Sequence, residues 1–160
     1  MRNNSGFSAF EVAVSLAIIA IIAAFVMPNY LTWLRGYRLR GATNNLVADM
    51  EMAKIRAIRE NAFVVVQFNA DNYNIFVDNG AGTGAAGDGL CTGEEVELRD
   101  RDLPTGVTID MGTLDFANNR TRFNGRGIPP DIIGGKMIAL MNATDRKEIS
   151  INRLGYMNVQ

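Results

Sequence analysis

Glu11 is the one charged residue between Phe7 and Met27, a run of 21 residues (FSAFEVAVSLAIIAIIAAFVM) in which only Ser8, Glu11 and Ser15 are polar. A carboxylate in so apolar a setting costs a few kcal/mol unless it is neutralised, paired or carried to an interface, so it is a functional candidate by default. The bland alternative is that Glu11, early in the run, sits at headgroup level at little cost. Other reactive chemistry is scarce. The absence of histidine removes Ser-His-Asp and Cys-His nucleophile pairs and most zinc and copper sites. Cys91 is the only cysteine, which excludes an internal disulfide and a cysteine-rich metal site. It is expected to be a free thiol, with an intermolecular disulfide as the alternative. Asp78, Asp88, Glu94 and Glu95 could offer oxygens to calcium, but their spacing matches no EF-hand, and solvated charge is the plainer reading. Arg120, Arg122 and Arg126 form the one basic cluster of the C-terminal part; Arg120 and Arg122 share one face of a strand. They read as a solvated face, with a contact to DNA or a protein partner as the alternative. No catalytic residue, metal or cofactor is expected, and the chain does not read as an enzyme.

These residues are carried by three zones that differ in charge. Residues 7–27 hold Glu11 alone. Residues 28–60 hold six Lys/Arg against three Asp/Glu, a net of +3, and residues 61–160 hold nine against thirteen, a net of −4. With −1 for the whole chain, strong sequence-independent binding to nucleic acid is not expected. As a helix, the apolar run spans about 30 Å, the thickness of a bilayer's hydrocarbon core, and it shows no polar face. It reads as a membrane segment. A cleaved secretory signal is the alternative, weakened by the length of the run, by Glu11 and by the lack of a small-x-small site at its far end.

Beyond Pro28 the helical period continues: Leu39, Ala42, Leu46, Met50, Ala53 and Ala57 recur at steps of three and four, widened by Val47 and Ile58. One helix is therefore expected from Phe7 to about Glu60, with its second half packed on a partner layer. Pro28, Gly36 and Gly41 suggest a kink or local melting within residues 28–41; loop placement or close packing of the glycines is the alternative. Arg35 and Arg38, just past the apolar run, read as a solvated or headgroup-facing patch, or a subunit contact.

From Ala62 the period changes to two. Phe63–Phe68 and Tyr73–Val77 predict a hairpin through Asn69–Asn72, and further strands are expected at Val96–Arg99, Val107–Asp110, Leu114–Phe116, Arg122–Phe123, Lys136–Met141, Glu148–Ile151 and Tyr156–Val159, with a turn at Asn142–Asp145. The fold class is α+β: a long N-terminal helix packed at its C-terminal half on a small antiparallel β domain. Asn79–Gly93 (NGAGTGAAGDGLCTG) holds six glycines. Its apolar surface is too small to offset the entropy of ordering, so it reads as a mobile surface loop. It lacks the Gly-Lys-Ser/Thr ending of a phosphate loop.

The leader MRNNSG, which ends in Gly6, followed by Phe7-Ser8-Ala9-Phe10-Glu11 resembles the class III signal of type IV prepilins and type II secretion pseudopilins. The resemblance implies that an integral-membrane prepilin peptidase cuts between Gly6 and Phe7 and methylates the new Phe7 amine. Glu11 then becomes the fifth mature residue, and Pro28 falls where pilins commonly carry a kinking proline. Ala9-Phe10 stands where Leu-Ile is commoner. The order of helix then β globule, with Phe123-Asn124-Gly125, Ile138-Ala139-Leu140 and Ile149-Ser150-Ile151, is similar to GspH/FimT-type minor pilins. The paired cysteines found near the C-terminus of many major pilins are missing.

What the resemblance implies is a structural and assembly subunit of a type IV pilus or type II secretion system. It would be organised as a leader (1–6), a transmembrane and filament-core helix (7–27), an amphipathic continuation (28–60) and a globular β domain (61–160). The expected partners are prepilin peptidase, other pilins met through the N-terminal helix, the assembly machinery and the bacterial inner membrane, with the C-terminal domain in the periplasm. The basic flank at Arg35, Arg38 and Arg40 outweighs Arg2, so the positive-inside rule opposes the topology that the resemblance implies, with the leader inside and the bulk outside. A buried Glu11 carboxylate would meet the Phe7 amine of a neighbouring subunit, each charge relieving the cost of the other. A DNA-binding minor pilin is the alternative function, but the end Arg153-Leu154-Gly155-Tyr156 lacks the Gly-Arg-x-Arg element of such proteins.

Overall fold

In the computed structural model, which describes residues 8–81, 84–92 and 94–160, one helix is followed by two antiparallel sheets. Helix α1 (Ala9–Glu60) covers the whole stretch in which apolar side chains recur with helical period. It stops at Asn61, whose φ of 50° is left-handed, and the Ala62 amide returns to the Ala57 carbonyl at 3.3 Å, closing the last turn. Residues 28–41 lie inside α1, so the local melting expected there is not seen. A Cβ at Gly36 or Gly41 would meet nothing within 4 Å. Neither a turn nor close packing accounts for those two glycines.

The chain divides into two units between Leu34 and Arg35. In the first, Phe10, Leu16, Ile19, Ile22 and Phe25 leave most of their surface exposed, and the helix is long and apolar enough to cross a membrane.

The second unit holds the rest of α1 and eight strands. They are β1 (Phe63–Phe68), β2 (Asn72–Asp78), β3 (Glu97–Asp102), β4 (Thr108–Ile109), β5 (Arg120–Phe123), β6 (Lys136–Met141), β7 (Arg146–Ile151) and β8 (Met157–Val159). Their order is β3-β2-β1-β5 in the first sheet and β4-β6-β7-β8 in the second. The α1 stripe Leu39, Ala42, Leu46, Met50, Ala53 and Ala57 is buried in one core with Val64, Val66, Phe68 and Ile75 of the first sheet and Ile138, Leu140, Ile149 and Ile151 of the second. Among the described residues, every buried residue of the hydrophobic core lies between Leu39 and Ile151. A chain beginning at Arg35 therefore keeps the entire core and can fold by itself.

Leu114–Phe116 is not a strand. Phe116 is buried against Phe68, with ring centroids 5.9 Å apart, while positive φ at Asn118 and Asn119 turns the chain before pairing can begin. The turn at Asn142–Asp145 forms as expected: the Asn142 side-chain oxygen accepts from the amides of Thr144 (2.8 Å) and Asp145 (2.7 Å). Side chains alternate across a strand, so β1 sends Val64, Val66 and Phe68 to the core and Phe63, Val65 and Gln67 to the outer face. The register sets Asp78 opposite Phe63, Arg122 opposite Val65 and Arg120 opposite Gln67, so the acid and both arginines stand on that outer face.

Candidate functional site

Two arrangements bring the candidate residues into contact with other groups. The first is the opening turn of α1. Gly6 and Phe7 lie outside the described residues. Ser8 precedes the helix and accepts a hydrogen bond at Oγ from the Phe10 amide (3.3 Å), while Glu11 Oε2 accepts from the Ser8 amide (2.9 Å). Ser8-Ala9-Phe10-Glu11 is thus a reciprocal capping box, which satisfies two amide donors that a helix start leaves unpaired. The Ser15 hydroxyl donates to the Glu11 carbonyl at 2.8 Å. Glu11 is exposed, and its second carboxylate oxygen makes no hydrogen bond among the described residues. The backbone of Pro28 lies within α1.

The second arrangement lies on the outer face of the first sheet, where the glycine-rich segment is tied down at several points. Asp78 is fully buried, and its two carboxylate oxygens accept from the amides of Gly87 (2.6 Å) and Gly89 (2.7 Å). Buried Glu95 does the same further along, accepting from the amides of Gly80 (3.0 Å) and Thr92 (2.9 Å). Arg120 donates to the carbonyls of Gly89 and Asp88, the latter at 3.1 Å. Arg122 donates to the Gly87 carbonyl, pairs with Asp131 at 2.9 Å and lies over the Phe63 ring. Acids therefore hold the loop's amides and arginines hold its carbonyls. Gly89 is needed here: its φ is +74°, and a Cβ would stand 2.7 Å from the Arg120 guanidinium carbon.

These contacts correct two expectations. Asp78 and Glu95 are not solvated charges, Arg120 is not part of a solvated face, and neither is Arg122; the described parts of 79–93 are tied to the sheet by these contacts. Glu94 remains exposed, and Asp88 is half-buried. Amides of Leu90 and Ala85 hold the Asp88 carboxyl below the ordinary carboxylate range. Cys91 is a free, exposed thiol whose pKa is raised by partial burial and by the charges of Glu95 and Glu97. Arg126 stands apart and exposed, making no side-chain bond among the described residues.

A cavity of about 410 Å³ opens beside this clamp, floored by Val65 and Phe116. Its charges are matched. Lys136 pairs with Asp115 at 3.0 Å, Arg122 with Asp131, and Arg120 is spent on carbonyls. The arrangement fixes a loop on a sheet, and its charges answer one another.

A third constellation carries no sequence motif. Asp49, buried on α1, accepts from the Tyr73 hydroxyl at 2.7 Å and pairs with Arg101 at 2.8 Å and Arg99 at 3.6 Å. Burial, then the hydrogen bond and charge of Asp49, push the Tyr73 pKa well above the ordinary phenol range against the pull of both arginines. The only signal in the sequence is the alternation of Arg99 and Arg101 along β3, which puts both on the α1 side.

The family model for type II transport protein GspH matches residues 42–155. Among solved structures, the fold is similar to the type IV minor pilin FimU of Pseudomonas aeruginosa, with a TM-score of 0.60, 15% identity, and 80% of this chain and 92% of that chain covered. It is also similar to the minor pseudopilin EpsH from the Type 2 Secretion System of Vibrio cholerae, with a TM-score of 0.55, 8% identity, and 77% and 96% covered. Among curated proteins, none matches this sequence.

Proposed function

The chain belongs to the GspH family of type II transport proteins, and from that premise we propose that it is a minor pilin or pseudopilin, a structural and assembly subunit of a type IV pilus or a type II secretion system. The observation that carries this reading is the first half of α1, whose large apolar side chains from Phe10 to Met27 are exposed throughout, with Glu11 as the only charge. Water is a poor solvent for that surface. Lipid covers it before assembly, and the helices of sister subunits cover it in the filament.

In this reading, prepilin peptidase hydrolyses the Gly6–Phe7 peptide bond and the new Phe7 amine is methylated. The bulk of the chain lies on the periplasmic side of the inner membrane. Glu11 keeps one oxygen on the Ser8 amide and offers the other to the Phe7 amine of a neighbouring subunit. Apolar packing alone lets helices slide past one another, and a charge pair at one depth sets their register.

Mass spectrometry of the N-terminal peptide from the native host tests the reading. The expected product begins at N-methylated Phe7. An intact Met1 or a cut beyond Met27 in assembled material would overturn it.

A further inference from the structure

Two surfaces of the second unit, on opposite edges of the first sheet, complement each other in charge and both carry apolar side chains. The first surrounds the end of α1. Lys54 Nζ donates to the Gly155 carbonyl at 3.0 Å and lies 5.0 Å from the centre of the Tyr156 ring. Gly127 is packed against Ile58 and Lys54, and Gly155 against Gly127. The last turns of α1, the turn after β5 and the turn before β8 are thereby joined into one surface. On it Ile55, Ile58, Leu154 and Tyr156 each leave half or more of their area in solvent. Arg59, Arg126 and Arg153 are exposed around them, and none has an ion pair or side-chain hydrogen bond among the described residues. Ile55 sits on the side of α1 opposite the buried stripe, so burial within this unit does not explain it.

The second surface is edge strand β3 with the segment leading into it. Arg99 and Arg101 turn inward to Asp49, which leaves Glu97 and Asp100 exposed on the other face, with Glu94 just before them. None of these three acids has an ion pair among the described residues. Leu90 and Val96, both more than half exposed, supply the apolar component.

We propose that the cationic, apolar end of α1 docks on the acidic β3 edge of a second copy of this chain. β3 is one edge of the first sheet, and the turn carrying Arg126 follows β5, the other edge. Two different patches on opposite edges make a head-to-tail contact, which propagates along a row of copies and does not close on itself as a two-fold pair. Protein suits the first surface better than a phosphate backbone does. Four large apolar side chains contribute nothing to phosphate binding, and Glu51 and Glu60 stand among the cations. The contact does not require the N-terminal helix, so the test is independent of processing and membrane insertion.

Residues 35–160 are the material for it, since they keep the whole core. Sedimentation velocity across a concentration series should show self-association that weakens as salt is raised. Reversing one patch, with Arg126→Glu and Arg153→Glu together or with Glu97→Lys and Asp100→Lys together, should lower the association constant at least about tenfold, because like charges then face each other. An equimolar mixture of the two reversed proteins should associate again, each patch having regained an opposite. Milder Arg126→Gln/Arg153→Gln and Glu97→Gln/Asp100→Asn proteins, with unfolding curves matching the parent, guard against misfolding. A parent that stays monomeric, reversed proteins that associate as the parent does, or a mixture that stays monomeric would each overturn the proposal. Salt-sensitive retention of duplex DNA, lost in Arg126→Glu/Arg153→Glu, by a parent that does not self-associate would assign the surface to nucleic acid and overturn it as well.

Discussion

The Tyr73 hydroxyl donates a 2.7 Å hydrogen bond to Asp49 Oδ2, so the middle of α1 is tied to β2 by a buried polar contact within an apolar core. Removing the hydroxyl leaves a buried carboxylate short of a donor. Tyr73→Phe should therefore cost about 1–3 kcal/mol in urea unfolding of residues 35–160. Asp49→Ala should cost more, about 3 kcal/mol or above, because it strands both the hydroxyl and Arg101. The folded state also holds the Tyr73 proton more tightly than the unfolded chain does. That contribution is complete below the ordinary phenol range and is lost as pH climbs through it toward the raised value. Tyr73→Phe should lose this alkaline sensitivity; unchanged stability at neutral pH would refute the tie.

The glycine-rich loop makes the second prediction. Asp78 closes it by accepting two amides, and an asparagine has only one oxygen to offer them. Asp78→Asn should speed hydrogen exchange at Gly87 and Gly89 by tenfold or more while leaving α1 amides such as Leu46 and Met50 unchanged. Equal exchange in parent and variant would mean that Arg120 and Arg122 hold the loop without it.

Legibility followed sequence distance. The stripe from Leu39 to Ala57 is a repeat within one helix, and the buried side chains are the ones the repeat marks. The strand alternations at Phe63–Phe68 and Lys136–Met141 are local in the same way. In the loop, glycine content reports the entropy of a segment and not its tethers. Arg120 lies 31 residues from Gly89, and Arg122 lies 35 from Gly87. The Asp49 cluster leaves only the alternation of Arg99 and Arg101 as a sequence signal for the same reason, with Arg101 52 residues away. The capping box is different: Ser8 and Glu11 are three residues apart, and the pattern stands in the sequence. The membrane reading of the same stretch gives Glu11 another role and hides the local one.

Cys91 reports on the acidic edge. Burial and the neighbouring Glu95 and Glu97 raise its pKa, so at a given pH less thiolate is present than in a free thiol. Alkylation of the folded protein near pH 8 should be slower than that of an unstructured peptide carrying the same cysteine. Glu97→Gln should speed it, and the rate should rise with pH through a range above that of the peptide. A rate indifferent to Glu97 would leave burial and Glu95 as the causes.

Glu11 has two candidate duties, and two substitutions separate them. In the capping box its oxygen accepts from the Ser8 amide, a task that glutamine performs as well. In the filament its charge would meet a neighbour's Phe7 amine, a task that glutamine cannot perform, because a neutral amide leaves the cation unpaired in a low-dielectric setting. Glu11→Ala abolishes both. If the charge is the determinant, Glu11→Gln and Glu11→Ala should both fail to enter filaments, at membrane levels equal to the parent. If capping is the determinant, Glu11→Gln should assemble as the parent does and only Glu11→Ala should fail. Quantifying sheared filaments against the inner-membrane pool for the three proteins decides between them. Assembly of Glu11→Ala at the parental level would remove Glu11 from both roles.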